Sequence, residues 1–210
     1  VDMYTAGRVN NKRKHDDKGK MVFTFGLGSQ KLYDFMDHNS CCASYPVDYT
    51  NDPYRIASID KMVAINNAVE IDLYGQVCSE SSGPRHISGT GGQFDYTFGT
   101  PFSRGGKAFI CMTSTQTDKK TGKSKTRIRP TLSPGSIVTV PRTIVSNVVT
   151  EFGIVNLKGR STWEIAEALI SISHPDHREE LIQEAEKLGI WRKSNKKALA
   201  QPARRRAHAA

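Results

Sequence analysis

The chain has 210 residues, 37% hydrophobic and 24% charged. That is enough for one ordinary soluble domain with a full core, and no apolar run nears the ~20 residues that cross a bilayer. The formal net charge of +9 invites a basic nucleic-acid-binding module. However, Arg192, Lys193, Lys196, Lys197, Arg204, Arg205 and Arg206 follow Trp191 with no acid among them, and removing these seven charges leaves about +2 for the body, so a nucleic-acid partner is not expected.

Val1-Asp-Met-Tyr-Thr-Ala-Gly7 is neither an initiator sequence nor a secretory signal, which runs basic and then apolar. The chain therefore reads as starting inside a longer, cytoplasmic protein. Residues 7–20 are polar, basic and punctuated by glycine, a surface loop ahead of a strand at 21–25. Ser29 is placed to cap a helix whose apolar stripe is Leu32, Phe35 and Met36 and which Asn39 ends. Cys41, Cys42, Cys78 and Cys111 include no Cys-x-x-Cys pair and no zinc-ligand spacing with histidine, so four reduced thiols and no metal site are expected. Two prolines in 45–54 predict an extended segment.

A strand is expected at 62–66. Beyond it Val69, Ile71 and Leu73 alternate with Glu70 and Asp72, the period of a half-buried strand with both carboxylates on its other face. Ser88-Gly-Thr-Gly-Gly-Gln-Phe-Asp-Tyr-Thr-Phe-Gly99 is then dense in glycine. Gly89, Gly91 and Gly92 lack a Cβ, so another molecule can approach the main chain closely, and amides there can point at a ligand oxygen. The cluster is neither a dinucleotide fingerprint nor a P-loop, and a plain turn is the competing reading.

Arg104-Gly-Gly-Lys107 introduces an apolar strand at 108–112. Lys107 is either a cation for a phosphate or pantetheine edge, or a solvated turn lysine. Residues 118–127 predict an exposed hairpin loop, and 136–141 and 146–150 two β-branched strands. Ser161-Thr-Trp-Glu164 is a capping box opening a helix that buries Ile165, Ala168, Leu169 and Ile172. A last helix starts with Pro175, stops at Gly189 and buries Leu181, Ile182, Ala185 and Leu188. His174 and His177 read as capping or surface residues rather than catalysts. Residues 193–210 show no apolar periodicity and read as a disordered basic tail beyond a domain at 1–192.

Ile65-Asn-Asn-Ala-Val-Glu-Ile-Asp-Leu-Tyr-Gly-Gln-Val77, Gly89-Thr-Gly-Gly-Gln-Phe-Asp-Tyr96, Arg127-Ile-Arg-Pro130, Val148-Val-Thr-Glu-Phe-Gly153 and His174-Pro-Asp-His-Arg-Glu-Glu-Leu181 together resemble the C-terminal domain of the acetyl-CoA hydrolase/transferase family. Its members include 4-hydroxybutyrate CoA-transferase and butyryl-CoA:acetate CoA-transferase. The resemblance implies an α/β fold, a mostly parallel sheet flanked by helices that closes with two amphipathic helices. It also implies an enzyme that moves CoA between short-chain carboxylic acids, with CoA as substrate and no tightly bound cofactor. Its partners are then an acyl-CoA, a carboxylate and the N-terminal domain of the same protein, in a homo-oligomer when full length.

In that family a glutamate attacks the acyl-CoA thioester to give an acyl-glutamyl anhydride, and CoA thiolate returns to form a glutamyl-CoA thioester that the acceptor acid resolves. The resemblance places that glutamate upstream of Val1, so no catalytic residue is assigned here and the isolated chain is expected to be inactive. Asn66, Gly89, Gly91, Gly92 and Gln93, with Lys107 added, are the expected substrate and CoA neighbourhood. Main-chain amides of the glycine loop would face the thioester oxygen. An acetyl-CoA hydrolase, in which water resolves the intermediate, is the alternative within enzymes.

Overall fold

The computed structural model describes residues 1–118 and 122–191. The tail expected at 193–210 lies outside the described residues, as does the tip of the 118–127 loop. The chain divides into two compact units, Val1–Val63 with Phe98–Lys107, and Ala64–Thr97 with the described residues from Ala108 onward.

In the first unit Met21–Phe23 pairs in parallel with Cys42–Ser44, and the helix Gln30–Met36 lies between them in sequence. Ser29 stands at that helix's N-cap in extended conformation without a side-chain cap bond, and Leu32, Phe35 and Met36 form its half-buried face. The basic loop before Met21 is anchored by Asp17, which accepts from Tyr45 Oη at 3.1 Å, Tyr49 Oη at 2.9 Å and Arg55 Nη2 at 2.8 Å. The Arg55 guanidinium lies 3.7 Å from the Tyr49 ring centroid. Residues 45–54 are not extended as predicted. They hold the helices Val47–Thr50 and Pro53–Ser58, because Pro46 sits at an N-cap and Pro53 in a first turn, where proline's missing N–H costs nothing. Asp52 caps the second by accepting from the Tyr54 amide at 2.9 Å.

The second unit contains most of a four-stranded sheet ordered Gly153–Asn156, Asn147–Thr150, Lys107–Cys111, Val63–Asn67. Asn147–Thr150 runs parallel to Lys107–Cys111 and antiparallel to Gly153–Asn156. A second sheet places Glu70–Asp72 between Ile128–Arg129, parallel, and Val77–Cys78, antiparallel. The architecture is mixed α/β, closed by the helices Thr162–Ser171 and Pro175–Lys187. Strands and helices meet in one core, where Ile71, Ile110, Ile128, Val148, Leu169 and Leu181 are at most 1% exposed. Each contributes roughly 1.5–3 kcal/mol by leaving water.

The alternation at 69–73 misleads in one respect. Glu70 and Asp72 do not face solvent, being 7% and 1% exposed. The strand is paired on both edges, and each carboxylate is compensated in place. Glu70 accepts from the Ser133 amide and hydroxyl, both at 2.8 Å, and from Ser136 Oγ at 2.7 Å. Asp72 accepts from the amides of Tyr74 and Gln76 at 3.1 and 2.8 Å and from Gln76 Nε2 at 2.7 Å, closing a turn in which Gly75 has φ +91°. Burial pushes the Asp72 carboxyl above its ordinary value, and the Gln76 and Tyr74 bonds oppose it.

The segment 136–141 is also not a strand. It meets Val77 through a single bridge at Val140, because Thr139 and Val140 both donate to the Val77 carbonyl. The capping box forms, with the Ser161 amide donating to Glu164 Oε2 at 2.8 Å. His174 caps the last helix, accepting from the Asp176 amide at 3.3 Å. Gly189 follows that helix with φ +70°, whereas Leu188, 36% exposed, is not on its inner face. All four cysteines are free.

Candidate functional site

The sequence signals around residues 62–93 converge on one open depression of about 400 Å³, lined by Asn66, Asn67, Ser79 and the run Ser88 to Gln93. Three separate pieces of chain build it. The strand Val63–Asn67 brings Asn66 and Asn67 to its C-terminal end. There Arg127 fixes the chain's exit, donating from Nη2 to the Ala68 carbonyl and from Nε to the Val69 carbonyl, each at 2.8 Å. A third bond, Nη1 to Thr113 Oγ1 at 2.9 Å, sets the guanidinium plane. Burial pushes Arg127 below its ordinary pKa, which Glu151 opposes; the chemistry of a fork of fixed donors is kept because guanidinium remains charged.

Ser79 arrives from the strand Val77–Cys78. Its amide donates to Thr139 Oγ1 at 3.0 Å, and that hydroxyl donates onward to Glu80 Oε1 at 3.0 Å. The glycine loop enters through the hairpin Ser81–Ser82/Arg85–His86. The amides of Ile87 and Ser88 both donate to the Glu80 carbonyl, at 2.8 and 3.2 Å, which fixes the loop's base. Gly91 takes φ +55°, the left-handed region that disfavours other residues, and a Cβ built at Gly89 or Gly91 meets nothing within 4 Å. The space over these two glycines is open. At Gln93 the loop turns into the helix Gln93–Gly99, which the glycine-dense reading of 88–99 missed.

Asn66, Gly89, Gly91, Gly92 and Gln93 therefore share one wall system, and Lys107 is not among the lining residues. Lys107 is the exposed first residue of Lys107–Cys111 and groups with the first unit. Its glycine neighbour Gly106 answers to packing, since a Cβ there would stand 2.0 Å from the Thr100 carbonyl oxygen. Sequence reasoning missed Ser79. No periodicity marks it, because only the pairing of strands 70–72 and 77–78 carries it beside Asn66.

Every lining side chain is uncharged. Three of their polar atoms, Asn66 Nδ2, Ser79 Oγ and Gln93 Nε2, are buried without a hydrogen-bond partner. Such a site can donate hydrogen bonds to an oxygen acceptor in a setting where water does not compete fully. Among the described residues no three His, Cys, Asp or Glu side chains are grouped to hold a metal ion, and no helix is long and apolar enough to cross a membrane.

The mixed α/β fold is also that of the solved 4-hydroxybutyrate CoA-transferase of Porphyromonas gingivalis, which superposes with a TM-score of 0.71 at 36% identity over 89% of this chain and 42% of that one. Residues 28–185 match the acetyl-CoA hydrolase/transferase C-terminal domain, and the chain belongs to that family. It is 57% identical over 194 residues to a probable butyrate:acetyl-CoA coenzyme A-transferase of Syntrophomonas wolfei, and 52% identical over 196 residues to the butyryl-CoA:acetate CoA-transferase of Anaerostipes caccae. These alignments cover 92% and 93% of the chain but 43% and 44% of the relatives. The chain thus spans less than half the length of the curated relatives it matches. Among solved structures, RipA from Yersinia pestis superposes with a TM-score of 0.81 at 42% identity, over 90% of this chain and 42% of that one.

Proposed function

We propose that the chain is the C-terminal half of a cytoplasmic CoA-transferase that moves CoA between short-chain carboxylic acids, with a domain at 1–192 followed by a basic tail at 193–210. The observation that carries this reading is the depression at Asn66, Gly89, Gly91, Gly92 and Gln93, whose unpaired amide donors suit an acyl oxygen. High identity to transferases of butyryl-CoA and acetate supports the substrate class. Glycine at 89 and 91 leaves room for a thioester to lie against the main chain, where fixed amides stabilise charge as it develops on oxygen.

The nucleophilic glutamate is placed outside these 210 residues, in the N-terminal domain of the same polypeptide. Glu70, Glu80 and Glu151 support this, because each already accepts hydrogen bonds from neighbouring residues. Glu70 is held by Ser133 and Ser136, and Glu80 accepts from Thr139. Glu151 accepts from the Ser114 amide at 2.8 Å and hydroxyl at 2.6 Å. Partial desolvation pushes Glu151 up, but the bonds from Ser114 and from its own backbone amide, with His174 nearby, together outweigh it and hold the carboxyl below its ordinary value. A carboxylate tied down in this way is a poor nucleophile.

In the reading proposed, the upstream carboxylate displaces CoA thiolate from the acyl-CoA, the thiolate attacks the resulting anhydride to expel the acid, and the acceptor acid repeats the two steps in reverse. Each bond broken is replaced by one of similar energy, so no cofactor beyond CoA as substrate is required. The full-length protein is read as a homo-oligomer. The test is turnover of butyryl-CoA by full-length protein with and without acetate. Formation of acetyl-CoA that depends on acetate is the expected result; release of free CoA at the same rate without acetate would replace the reading with a hydrolase.

A further inference from the structure

Native folds pair roughly nine in ten buried polar groups, yet Asn66 Nδ2, Ser79 Oγ and Gln93 Nε2 are all unpaired, and all three residues line the same depression. Ser79 and Gln93 carry an inference beyond the glycine loop itself. Gln93 is only 7% exposed, held at the first residue of its helix, and its Nε2 presents two N–H groups that no protein acceptor takes. Ser79 is held from behind by the Thr139 hydroxyl on its amide, which leaves its own hydroxyl unbonded. With no charged side chain in the lining, the preferred ligand group is a small oxygen acceptor rather than a phosphate.

We propose that Ser79 and Gln93 are substrate-contacting, specificity-determining residues that donate hydrogen bonds to an acyl oxygen of the short-chain substrate, on the free carboxylate or on the thioester carbonyl. The proposal rests on the CoA-transferase reading and deepens it. It also has a physical signature that a structural role lacks. Because neither atom bonds to the protein, deleting it removes a desolvation cost from the folded state while removing a contact from the complex.

The experiment uses full-length protein with Ser79→Ala and Gln93→Met, near-isosteric changes that remove one donor group each. The thermal midpoint is expected to stay or rise, while KM for acetate or for butyryl-CoA rises about tenfold, the loss of one well-made hydrogen bond to a polar partner. A rise confined to acetate assigns the free carboxylate, and one confined to butyryl-CoA the thioester carbonyl; either supports the proposal. Unchanged KM values for both, in an active protein, overturn it. If the unsubstituted protein shows no transfer, the CoA-transferase reading fails instead, and calorimetric binding of butyrate and butyryl-CoA to it, to Ser79→Ala and to Gln93→Met then decides. Weaker binding of either ligand by a variant supports that residue's contact, and equal binding of both by both variants overturns the proposal.

Discussion

A Cβ added at Gly106 would stand 2.0 Å from the Thr100 carbonyl oxygen and 2.9 Å from Ser103 Cβ, so the backbone itself must move to admit it. Gly106→Ala is expected to destabilise by about 3 kcal/mol, the scale of forced overpacking, measured by urea unfolding. Gly91 is a different case. Its Cβ would meet nothing within 4 Å, but φ +55° costs an alanine on the order of 1–2 kcal/mol, so Gly91→Ala should lose about that much. Glycine alone in a sequence does not reveal which of these two reasons placed it. Glu151 gives a pH test. Its folded pKa is lowered, so its contribution is present above the unfolded pKa and is lost as pH falls through the folded one. Glu151→Gln should therefore melt at a lower temperature than the unsubstituted protein at neutral pH, and the gap should close in acid, as followed by thermal melts across pH.

Helix ends were the most legible elements, because capping is local chemistry. Ser161 and Glu164 stand three residues apart, and their reciprocal bond needs nothing beyond the turn itself. Ser161→Ala is expected to cost about 1 kcal/mol in thermal or chemical unfolding. The helix it opens places Leu169 in the core at 0% exposure, and Leu169→Ala is expected to cost about 3–5 kcal/mol by leaving a cavity, well above the cap's effect. Prolines were less legible. Pro46 and Pro53 forbid helix before themselves but favour it after, and residues 45–54 took the second option twice. The β-branched run at 136–141 fits a strand by composition, but its partner Val77 offers it only one bridging position.

At the scale of the whole molecule, the candidate site draws on residues 66–67, 79 and 88–93, which meet only through folding. Because the chain spans 43–44% of two of the transferases it matches, we expect the isolated 210 residues to catalyse no acyl transfer. Assaying them with butyryl-CoA and acetate beside full-length protein checks this, and turnover by the fragment would return the nucleophile to this chain. By itself the sequence determined the family, the α/β class, the terminal helix pair and the glycine-bearing half of the depression, since these are written in contiguous motifs and local periodicity. Only the tertiary structure decided that Glu70 and Asp72 are buried, that Lys107 is not a lining residue, and that Ser79 joins Asn66 and Gln93 with their donors unpaired. Those facts depend on which strands lie side by side, and a one-dimensional pattern specifies which residues alternate but not what covers them.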